Sequence, residues 1–324
     1  MTETIAQQPG VAARLGEAVQ AEVHKVVKGQ EAAVAGLLTC LLADGHVLLE
    51  GVPGTAKTLM AKALALCLQC EFRRIQFTPD LMPSDIIGTT VFDAKTAEFF
   101  VRRGPVFTAI LMADEINRTP PKTQAALLQA MEERRVSIDG VDHPLPTPFF
   151  VIATQNPIEY EGTYPLPEAQ LDRFLMKLHV DYPSAPEEVN MLRLHQQGFD
   201  PHRLAESDIR PVVHPEMLAQ AKAEAGTLTV EEGVLEYLVS IAAATRTAPQ
   251  VFLGGSPRAT VALLRCSRAL AALEGRSFVT PDDVKAIAHP VLRHRIILRP
   301  EAEIEGFTTD QLVDSVLAMV PVPR

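Results

Sequence analysis

The chain has 324 residues, 47% of them hydrophobic, and a formal net charge of −10, so it is long enough to bury two cores. The acidic balance counts against nucleic acid as the main partner, because nucleic-acid-binding proteins usually carry a basic surface. There is no apolar run long enough to span a membrane and no signal-peptide core near the start, so we expect a soluble, cytoplasmic protein.

The first part of the chain alternates between helical and extended patterns. Residues 11–42 read as two helices separated by the segment Val27-Lys28-Gly29-Gln30. Short apolar runs then recur, with helical patterns between them, at Val47–Glu50, Phe72–Phe77, Ala109–Ala113, Phe149–Thr154 and Leu175–Val180. This alternation predicts an α/β fold of three layers around a largely parallel sheet.

Two predicted hairpins interrupt the alternation. Thr89–Asp93 and Glu98–Arg102 read as paired strands around residues 94–96, and residues 135–143 form a second hairpin with its turn at Asp139-Gly140. Both lie outside the core sheet, so we expect that either one could reach a partner.

The composition changes after Val180. Ser184-Ala185-Pro186-Glu187 has the spacing of a capping box and starts a helix. Helical patterns then follow without a convincing strand, at about 186–196, 215–225, 230–247, 257–273, 281–290 and 309–319. We predict a first domain over 1–183 and a smaller all-helical domain over 184–324, with a linker at about 184–205.

A phosphate-binding loop is predicted between the first strand and the helix after it. The segment reads Gly51-Val52-Pro53-Gly54-Thr55-Ala56-Lys57-Thr58, close to the template G-x-x-x-x-G-K-[S/T] but with Ala56 in place of the second glycine. Backbone N–H groups and the helix N-terminus would bind phosphate oxygens. Lys57 would reach the β and γ oxygens and the Thr58 hydroxyl would hold Mg²⁺. The alternative is a Gly/Pro turn with an unrelated lysine.

Two acids end a later apolar strand. Ile110–Glu115 finishes with Asp114 and Glu115, and after a phosphate loop this pattern is typical of nucleotide hydrolysis. Asp114 would hold Mg²⁺ together with Thr58, and Glu115 would polarise the attacking water. Taken alone, an acidic pair after a strand is weak evidence, since helix N-termini often carry acids.

Three further polar residues are candidates for the phosphate chemistry. Asn156 follows the strand Phe149–Thr154 and would orient the water or contact the γ-phosphate; alternatively it is a turn residue before a proline. Arg173 precedes the last strand and could reach a neighbouring copy's nucleotide, or pair with Asp172 at the surface. Arg258 projects from a helix start with Ser256 as N-cap, and would meet the γ-phosphate or stay exposed.

Cys67-Leu68-Gln69-Cys70 has the spacing of a redox or zinc motif. No second cysteine pair or nearby histidine completes a metal site in the sequence. A cysteine pair at i and i+3 on a helix most simply packs, so we predict a structural role.

These motifs in combination resemble those of an AAA+ ATPase, and over about residues 11–320 the chain is similar to the MoxR family. The resemblance to that family depends on the two hairpins and on residues 116–121, 154–157 and 166–174. Phosphate loops of the form GxPGxAKT are common in the family, so Ala56 does not imply loss of activity.

The resemblance implies a role for each candidate, with ATP or ADP and Mg²⁺ as cofactors. It assigns Lys57 and Thr58 to Walker A, Asp114 and Glu115 to Walker B, Asn156 to sensor 1, Arg173 to the arginine finger and Arg258 to sensor 2. It also implies that Val27–Gln30, including Gly29, lines the adenine pocket. The family's homo-oligomer is a ring, usually a hexamer; whether Arg258 acts within its own subunit stays open, and Arg118 is a further interface candidate.

The function implied is that of an ATP-hydrolysing chaperone that remodels or matures a protein client. The client would be a protein with a von Willebrand factor A domain, which would receive a metal cofactor. Two alternatives are a nucleotide-gated assembly module with little hydrolysis and a DNA-acting motor. The hydrolytic residues argue against the first alternative, and the acidic balance argues against the second.

Overall fold

The computed structural model describes residues 10–157 and 162–323, which form two compact units. The sheet unit contains residues 22–37 and 45–210, and the helical unit contains 10–21, 38–44 and 211–323. Residues 184–210 therefore pack with the sheet unit, whereas the sequence predicted a domain boundary at 183. Helices α1 (Val11–Val26) and α2 (Glu31–Leu42) each contribute to both units.

The sheet unit contains nine strands within the described residues. They are β1 (Val47–Glu50), β2 (Phe72–Gln76), β3 (Gly88–Asp93), β4 (Glu98–Arg103), β5 (Ile110–Asp114), β6 (Arg135–Ile138), β7 (Val141–Pro144), β8 (Phe150–Gln155) and β9 (Met176–His179). The helices of this unit are α3 (Lys57–Cys67), α4 (Pro83–Ile87), α5 (Pro121–Glu133), α6 (Glu168–Leu171) and α7 (Ala185–Gln196), with 3-10 helices at Ile116–Arg118 and Pro201–Glu206.

Five strands form the central sheet, in the order β2-β5-β8-β1-β9, and every pairing is parallel. All five were predicted from their apolar runs, and the predicted α/β fold is confirmed. The inner strands β1, β5 and β8 read as nearly continuous apolar runs because a parallel sheet is covered by helices on its faces, whereas the edge strands β2 and β9 include exposed polar residues. Since all five strands run the same way, the residues that follow them meet at one edge of the sheet.

The core of the sheet unit lies between the sheet and its helices. Leu48, Leu111 and Val151, from three adjacent strands, are fully buried. Phe77 and Phe174 are among the largest buried side chains of this cluster. Burying an aromatic side chain of this size stabilises the fold by about 3 kcal/mol.

Both predicted hairpins are confirmed. β3 pairs with β4 from Gly88↔Arg103 to Asp93↔Glu98, and β6 pairs with β7 from Arg135↔Pro144 to Ile138↔Val141. The first hairpin exposes the aromatic pair Phe92 and Phe99, whose ring centroids are 5.1 Å apart.

The helical unit contains α8 (Pro215–Thr227), α9 (Glu232–Thr247), α10 (Pro257–Leu273), α11 (Pro281–Leu292), α12 (Pro300–Ile304) and α13 (Thr309–Met319). The prediction of an all-helical domain was wrong in one respect, because β10 (Val251–Leu253) pairs antiparallel with β11 (Ile297–Leu298). Strands of two or three residues are too short to show a periodic pattern.

Helix starts were predicted better than their capping bonds. Ser184 and Ser256 precede α7 and α10 as predicted, but neither side chain makes a capping hydrogen bond. Thr280 does form a capping box at α11, where its N–H donates to Asp283 Oδ2 at 2.7 Å. Proline in the first turn starts all three helices, since its fixed φ angle suits that position.

Cys67 and Cys70 behave as packing residues. Neither forms a disulfide, and no group of metal-ligating side chains occurs within residues 10–157 and 162–323. Burial, followed by the charge of Glu22, raises the pKa of the Cys67 thiol to about 12, which makes it unreactive. In the same described ranges, no helix combines the length and apolarity that a membrane span requires.

Candidate functional site

A cavity of about 540 Å³ opens at the carboxyl edge of the central sheet, entirely within the sheet unit. Its volume is typical of a small-molecule site. One end is polar and is lined by the β1–α3 loop, Asp114, Glu115 and Asn156. The other end mixes the apolar residues Val26, Val27, Pro183, Met191, Leu194 and Phe199 with the polar residues Lys28, Gln30, His195 and His202. A ligand with a charged end and a flat apolar end fits this division.

The β1–α3 loop has the backbone of an anion-binding turn. Gly54 has a φ angle of +85°, and Ala56 immediately before α3 is left-handed with φ of 62°. Thr55 Oγ1 donates to the Val52 carbonyl at 3.0 Å and closes the turn. The loop leads directly into the N-terminus of α3, where unpaired N–H groups and the helix dipole favour an anion.

Lys57 lies against this loop. Its ammonium group donates to the carbonyl oxygens of Gly51 at 2.6 Å and Val52 at 2.7 Å. Burial lowers the pKa of Lys57, while the charges of Asp114 and Glu115 act in the opposite direction. A partly desolvated ammonium interacts more strongly with a phosphate oxygen than one in water does.

The two acids are held by side chains from both neighbouring strands. Asp114 Oδ1 accepts from Thr154 Oγ1 at 2.6 Å, and Asp114 Oδ2 forms an ion pair with Arg74. Glu115 Oε2 accepts from Gln76 Nε2 at 2.7 Å. Both carboxylates face the cavity that Lys57 also lines.

The residues present fit a magnesium ion. Thr58 and Asp114 both line the polar end and supply a hydroxyl and a carboxylate oxygen, which are the hard ligands that Mg²⁺ takes beside substrate phosphates. Asn156 is buried and lines the same end. The sheet edge thus brings together the predicted phosphate loop, metal ligands, water-activating acid and sensor amide.

Comparisons with known proteins agree with this geometry. Residues 46–176 match the ATPase family associated with various cellular activities (AAA), and residues 243–316 match the AAA lid domain. The chain is 47% identical to YeaC of Bacillus subtilis over 95% of each chain. It is 42% identical to the chaperone MoxR1 of Mycobacterium tuberculosis over 94% of this chain and 81% of that one. The chain belongs to the MoxR family of AAA+ ATPases.

A solved structure extends the likeness to the whole fold of this MoxR-family protein. The crystal structure of a candidate ATPase from Cytophaga hutchinsonii superimposes with a TM-score of 0.88 over 97% of each chain, at 40% identity. The AAA+ fold predicted from the sequence, with its parallel core sheet and helical lid, is therefore confirmed.

Two predicted nucleotide contacts, Gly29 and Val52, are not among the residues that line the cavity. Gly29 has a φ angle of +69°, and a Cβ there would come within 2.8 Å of Pro183, so its place is in the turn rather than in the cavity lining. Val52 presents its carbonyl to Lys57 and Thr55 and does not line the cavity either. Of the predicted adenine segment, Val27, Lys28 and Gln30 do line it.

The two predicted arginines lie outside the cavity lining. Arg173 belongs to the sheet unit and contacts α5, where its Nη1 forms an ion pair with Glu132 at 2.8 Å. Arg258 lies in the first turn of α10, in the helical unit. Their assignment to arginine finger and sensor 2 stays a prediction.

Sequence reasoning missed three residues that hold the Walker B acids: Arg74, Gln76 and Thr154. Arg74 and Gln76 are two apart on β2, so they share a face, and the pairing Gln76↔Asp114 sets that face beside the acids. A polar residue at every second position near a strand end was the available signal. This signal can be interpreted only when β2 is known to lie next to β5. The strand order of the folded sheet shows this, and the sequence alone does not.

Proposed function

We propose that this protein is an ATP-hydrolysing, ring-forming chaperone of the MoxR type that remodels or matures a protein client. Membership of the AAA+ family indicates ATP hydrolysis in general terms. The observation that supports the specific proposal is the convergence of Lys57, Asp114 and Glu115 on one cavity with an apolar end suited to adenine.

The chain's own residues would divide the chemistry as follows. The loop amides and Lys57 bind the triphosphate, while Thr58 and Asp114 would hold Mg²⁺, which when bound supplies positive charge to the phosphate oxygens. Glu115 orients and polarises the attacking water, and Gln76 fixes the direction of its carboxylate. Asn156 follows β8 by one residue and lines the same cavity as the two acids, so its side-chain amide would contact the γ-phosphate.

A ring supplies the remaining charge. We propose that Arg173 acts on the nucleotide of an adjacent subunit, so that a homo-oligomer, with six members on the family's usual pattern, is the active form. The support is its position outside the lining of its own cavity and on the surface of α5. Arginine fingers of this kind contribute about 10³-fold or more to turnover.

A protein carrying a von Willebrand factor A domain is the client that the family resemblance favours. A DNA substrate is not favoured, since three arginines of the sheet unit that could offer positive charge to a phosphate backbone are engaged within the chain. Arg73 pairs with Glu71 at 2.8 Å, Arg103 stacks over Phe107 at 5.0 Å, and Arg134 donates to the Phe149 carbonyl. Phosphate binding would have to displace these contacts.

The test compares Glu115→Gln with Lys57→Ala in ATP hydrolysis and in capture of client protein. Hydrolysis is expected to fall to background in both, while Glu115→Gln keeps ATP bound and holds the client more firmly. Glu301→Gln and Lys285→Ala, on the surface of the helical unit, are matched controls with unchanged turnover. Client activity that survives Glu115→Gln but is lost in Lys57→Ala would instead indicate a nucleotide-gated assembly module.

A further inference from the structure

Thr154 makes two hydrogen bonds that join both Walker B acids to strand β8. Its hydroxyl donates to Asp114 Oδ1 at 2.6 Å and accepts from the Glu115 N–H at 2.8 Å. The residue is 1% exposed. A threonine hydroxyl has one proton to give, and here that proton goes to the predicted metal ligand.

The bond to Asp114 orients a carboxylate. Arg74 pairs with Oδ2, which a metal would take over, so the rotation of the Asp114 carboxylate is set by the neutral hydroxyl partner that Thr154 gives to Oδ1. Partners of this kind set which lone pairs a metal ligand presents, and their loss typically costs a site about 10–100-fold in metal affinity or activity.

The bond to Glu115 holds a strained backbone. Glu115 has φ of 56° and ψ of 51°, a left-handed conformation that is unfavourable for a residue other than glycine. Such a conformation persists only where its surroundings enforce it. Because the direction of the Glu115 side chain follows from this backbone, the acceptor on Thr154 helps to aim the carboxylate.

The position of Thr154 in the sheet makes it a link between two parts of the site. β8 lies between β5, which carries the acids, and β1, which leads into the phosphate loop. Thr154 is paired in register with Leu49 of β1, and the next residue, Gln155, accepts a hydrogen bond from Gly51 N–H at 3.3 Å. The strand end that carries Thr154 therefore contacts the acids on one side and the phosphate loop on the other.

We infer that Thr154 is a positioning residue for ATP hydrolysis, whose hydroxyl orients Asp114 toward the metal and fixes the backbone of Glu115. This inference rests on the proposed hydrolytic function. If the hydroxyl does more than fill space, valine, which has the shape of threonine but no hydroxyl, must lower ATP turnover. Serine, which is smaller but keeps the hydroxyl, must preserve it.

The experiment compares Thr154→Val, which keeps the shape, with Thr154→Ser, which keeps the hydroxyl. Thr154→Val is expected to lower kcat by about 10–100-fold with a similar KM for ATP, whereas Thr154→Ser stays near the wild-type kcat. Thr247→Val, at the exposed end of α9, is the control for the same chemical change and leaves kcat unchanged.

A second readout does not depend on turnover. In a Glu115→Gln background, the unfolding temperature is measured with ATP in EDTA and then across a Mg²⁺ titration. Thr154→Val is expected to keep the shift caused by ATP in EDTA and to need about tenfold more Mg²⁺ for the further shift. Thr154→Ser is expected to follow the parent curve.

Three results would overturn the inference: a wild-type kcat and Mg²⁺ dependence in Thr154→Val, equal defects in the Ser and Val variants, or a loss of kcat matched by the loss of folded protein. Wild-type protein that binds no nucleotide and hydrolyses none would defeat the proposed function itself. The two failures are therefore distinguishable in one set of measurements.

Discussion

Arg173 is paired with Glu132 of its own chain, with 2.8 Å between Nη1 and Oε2, and the same nitrogen donates to the Leu128 carbonyl at 2.7 Å. The arginine side chain remains 31% exposed. The guanidinium is thus held on the surface of α5 but still open to solvent. An arginine finger needs both properties, because it must be presented in a fixed direction and must reach a phosphate from outside.

Arg173→Ala is expected to lower ATP turnover by roughly 10³-fold while nucleotide affinity stays nearly unchanged. Stability is expected to fall by less than about 1 kcal/mol, because a partly exposed ion pair contributes little. Steady-state kinetics, nucleotide titration and thermal unfolding check the three parts. Arg135→Ala removes an arginine from exposed ion pairs of the same unit and serves as the control.

Mixing Arg173→Ala with Glu115→Gln tests whether the arginine acts across a subunit boundary. In a mixed ring, some interfaces combine an intact Glu115 with an intact Arg173 from the neighbouring subunit, so part of the activity is expected to return. Activity is measured across mixing ratios at constant total protein. If no ratio restores turnover although the two variants co-assemble, the shared site is wrong.

We expect Arg74 to compete with Mg²⁺ for Asp114. Its guanidinium pairs with Asp114 Oδ2, the oxygen that Thr154 leaves available. Replacing it with methionine removes one positive charge beside the proposed metal position, and two unit charges about 4 Å apart interact by about 1 kcal/mol even at the dielectric of bulk water. Arg74→Met is therefore expected to lower the Mg²⁺ concentration for half-saturation by about fivefold.

The measurement is a Mg²⁺ titration of the ATP-dependent unfolding temperature in a Glu115→Gln background. Arg73→Met is a suitable control, since Arg73 is the preceding residue on β2 and pairs instead with Glu71. A weaker Mg²⁺ requirement seen only in Arg74→Met supports the competition. An unchanged or higher requirement would show that Arg74 assists metal binding.

Ala56 adopts a left-handed conformation with φ of 62°, where many phosphate loops have glycine. Ala56→Gly relieves backbone strain of about 1–2 kcal/mol in the folded state. It also increases the conformational entropy of the unfolded chain, which lowers the unfolding free energy by about 0.4–1 kcal/mol. The net change in unfolding free energy is expected to be within about 1 kcal/mol, with ATP binding retained. Denaturant unfolding and nucleotide titration measure both.

Ala56→Val gives the contrasting result. A β-branched residue is a poor fit to the left-handed region, so this variant is expected to lose ATP affinity even where it folds. If instead Ala56→Gly abolished nucleotide binding, alanine would have a specific role in this loop that backbone conformation does not explain.

The sequence predicted the architecture well because its signals are local. The three inner strands of the sheet form nearly continuous apolar runs, and the phosphate loop has a fixed spacing between a strand and a helix. The acids Asp114 and Glu115 were found for the same reason, since they end one of these runs. A residue whose role depends only on its local sequence context can be predicted from the sequence.

The residues missed are those whose roles depend on neighbours distant in sequence. Thr154 touches Asp114 and Glu115 across about forty positions of sequence, and Arg74 pairs with Asp114 across a similar interval. Nothing in a strand's own pattern states which strand lies beside it. The β10–β11 pair was missed for a different reason, because a strand of two residues has no period.

Glu50 provides a pH-dependent test of the sheet edge. It pairs with Lys177 at 2.7 Å and with His179 at 3.3 Å, and its side chain is 17% exposed. Burial acts to raise the pKa of Glu50, but the hydrogen bond from His179 and the charge of Lys177 outweigh it and bring the pKa from 4.5 to about 2. A carboxyl whose folded pKa is lowered stabilises the protein fully above its unfolded pKa. That contribution is lost as the pH falls from 4.5 toward 2.

Lys177→Met is therefore expected to lower the unfolding free energy by roughly 2 kcal/mol at pH 7, since it leaves a buried carboxylate with weaker partners. The difference in unfolding free energy between wild type and variant should shrink as the pH falls below 4.5. Over that range Glu50 becomes protonated in the unfolded state and in the folded variant, while it stays ionised in the folded wild type until about pH 2. Urea unfolding of both proteins at several pH values measures it. A Glu50→Gln background removes the titrating group, so a pH-dependent difference that persists there would assign the effect to another carboxyl.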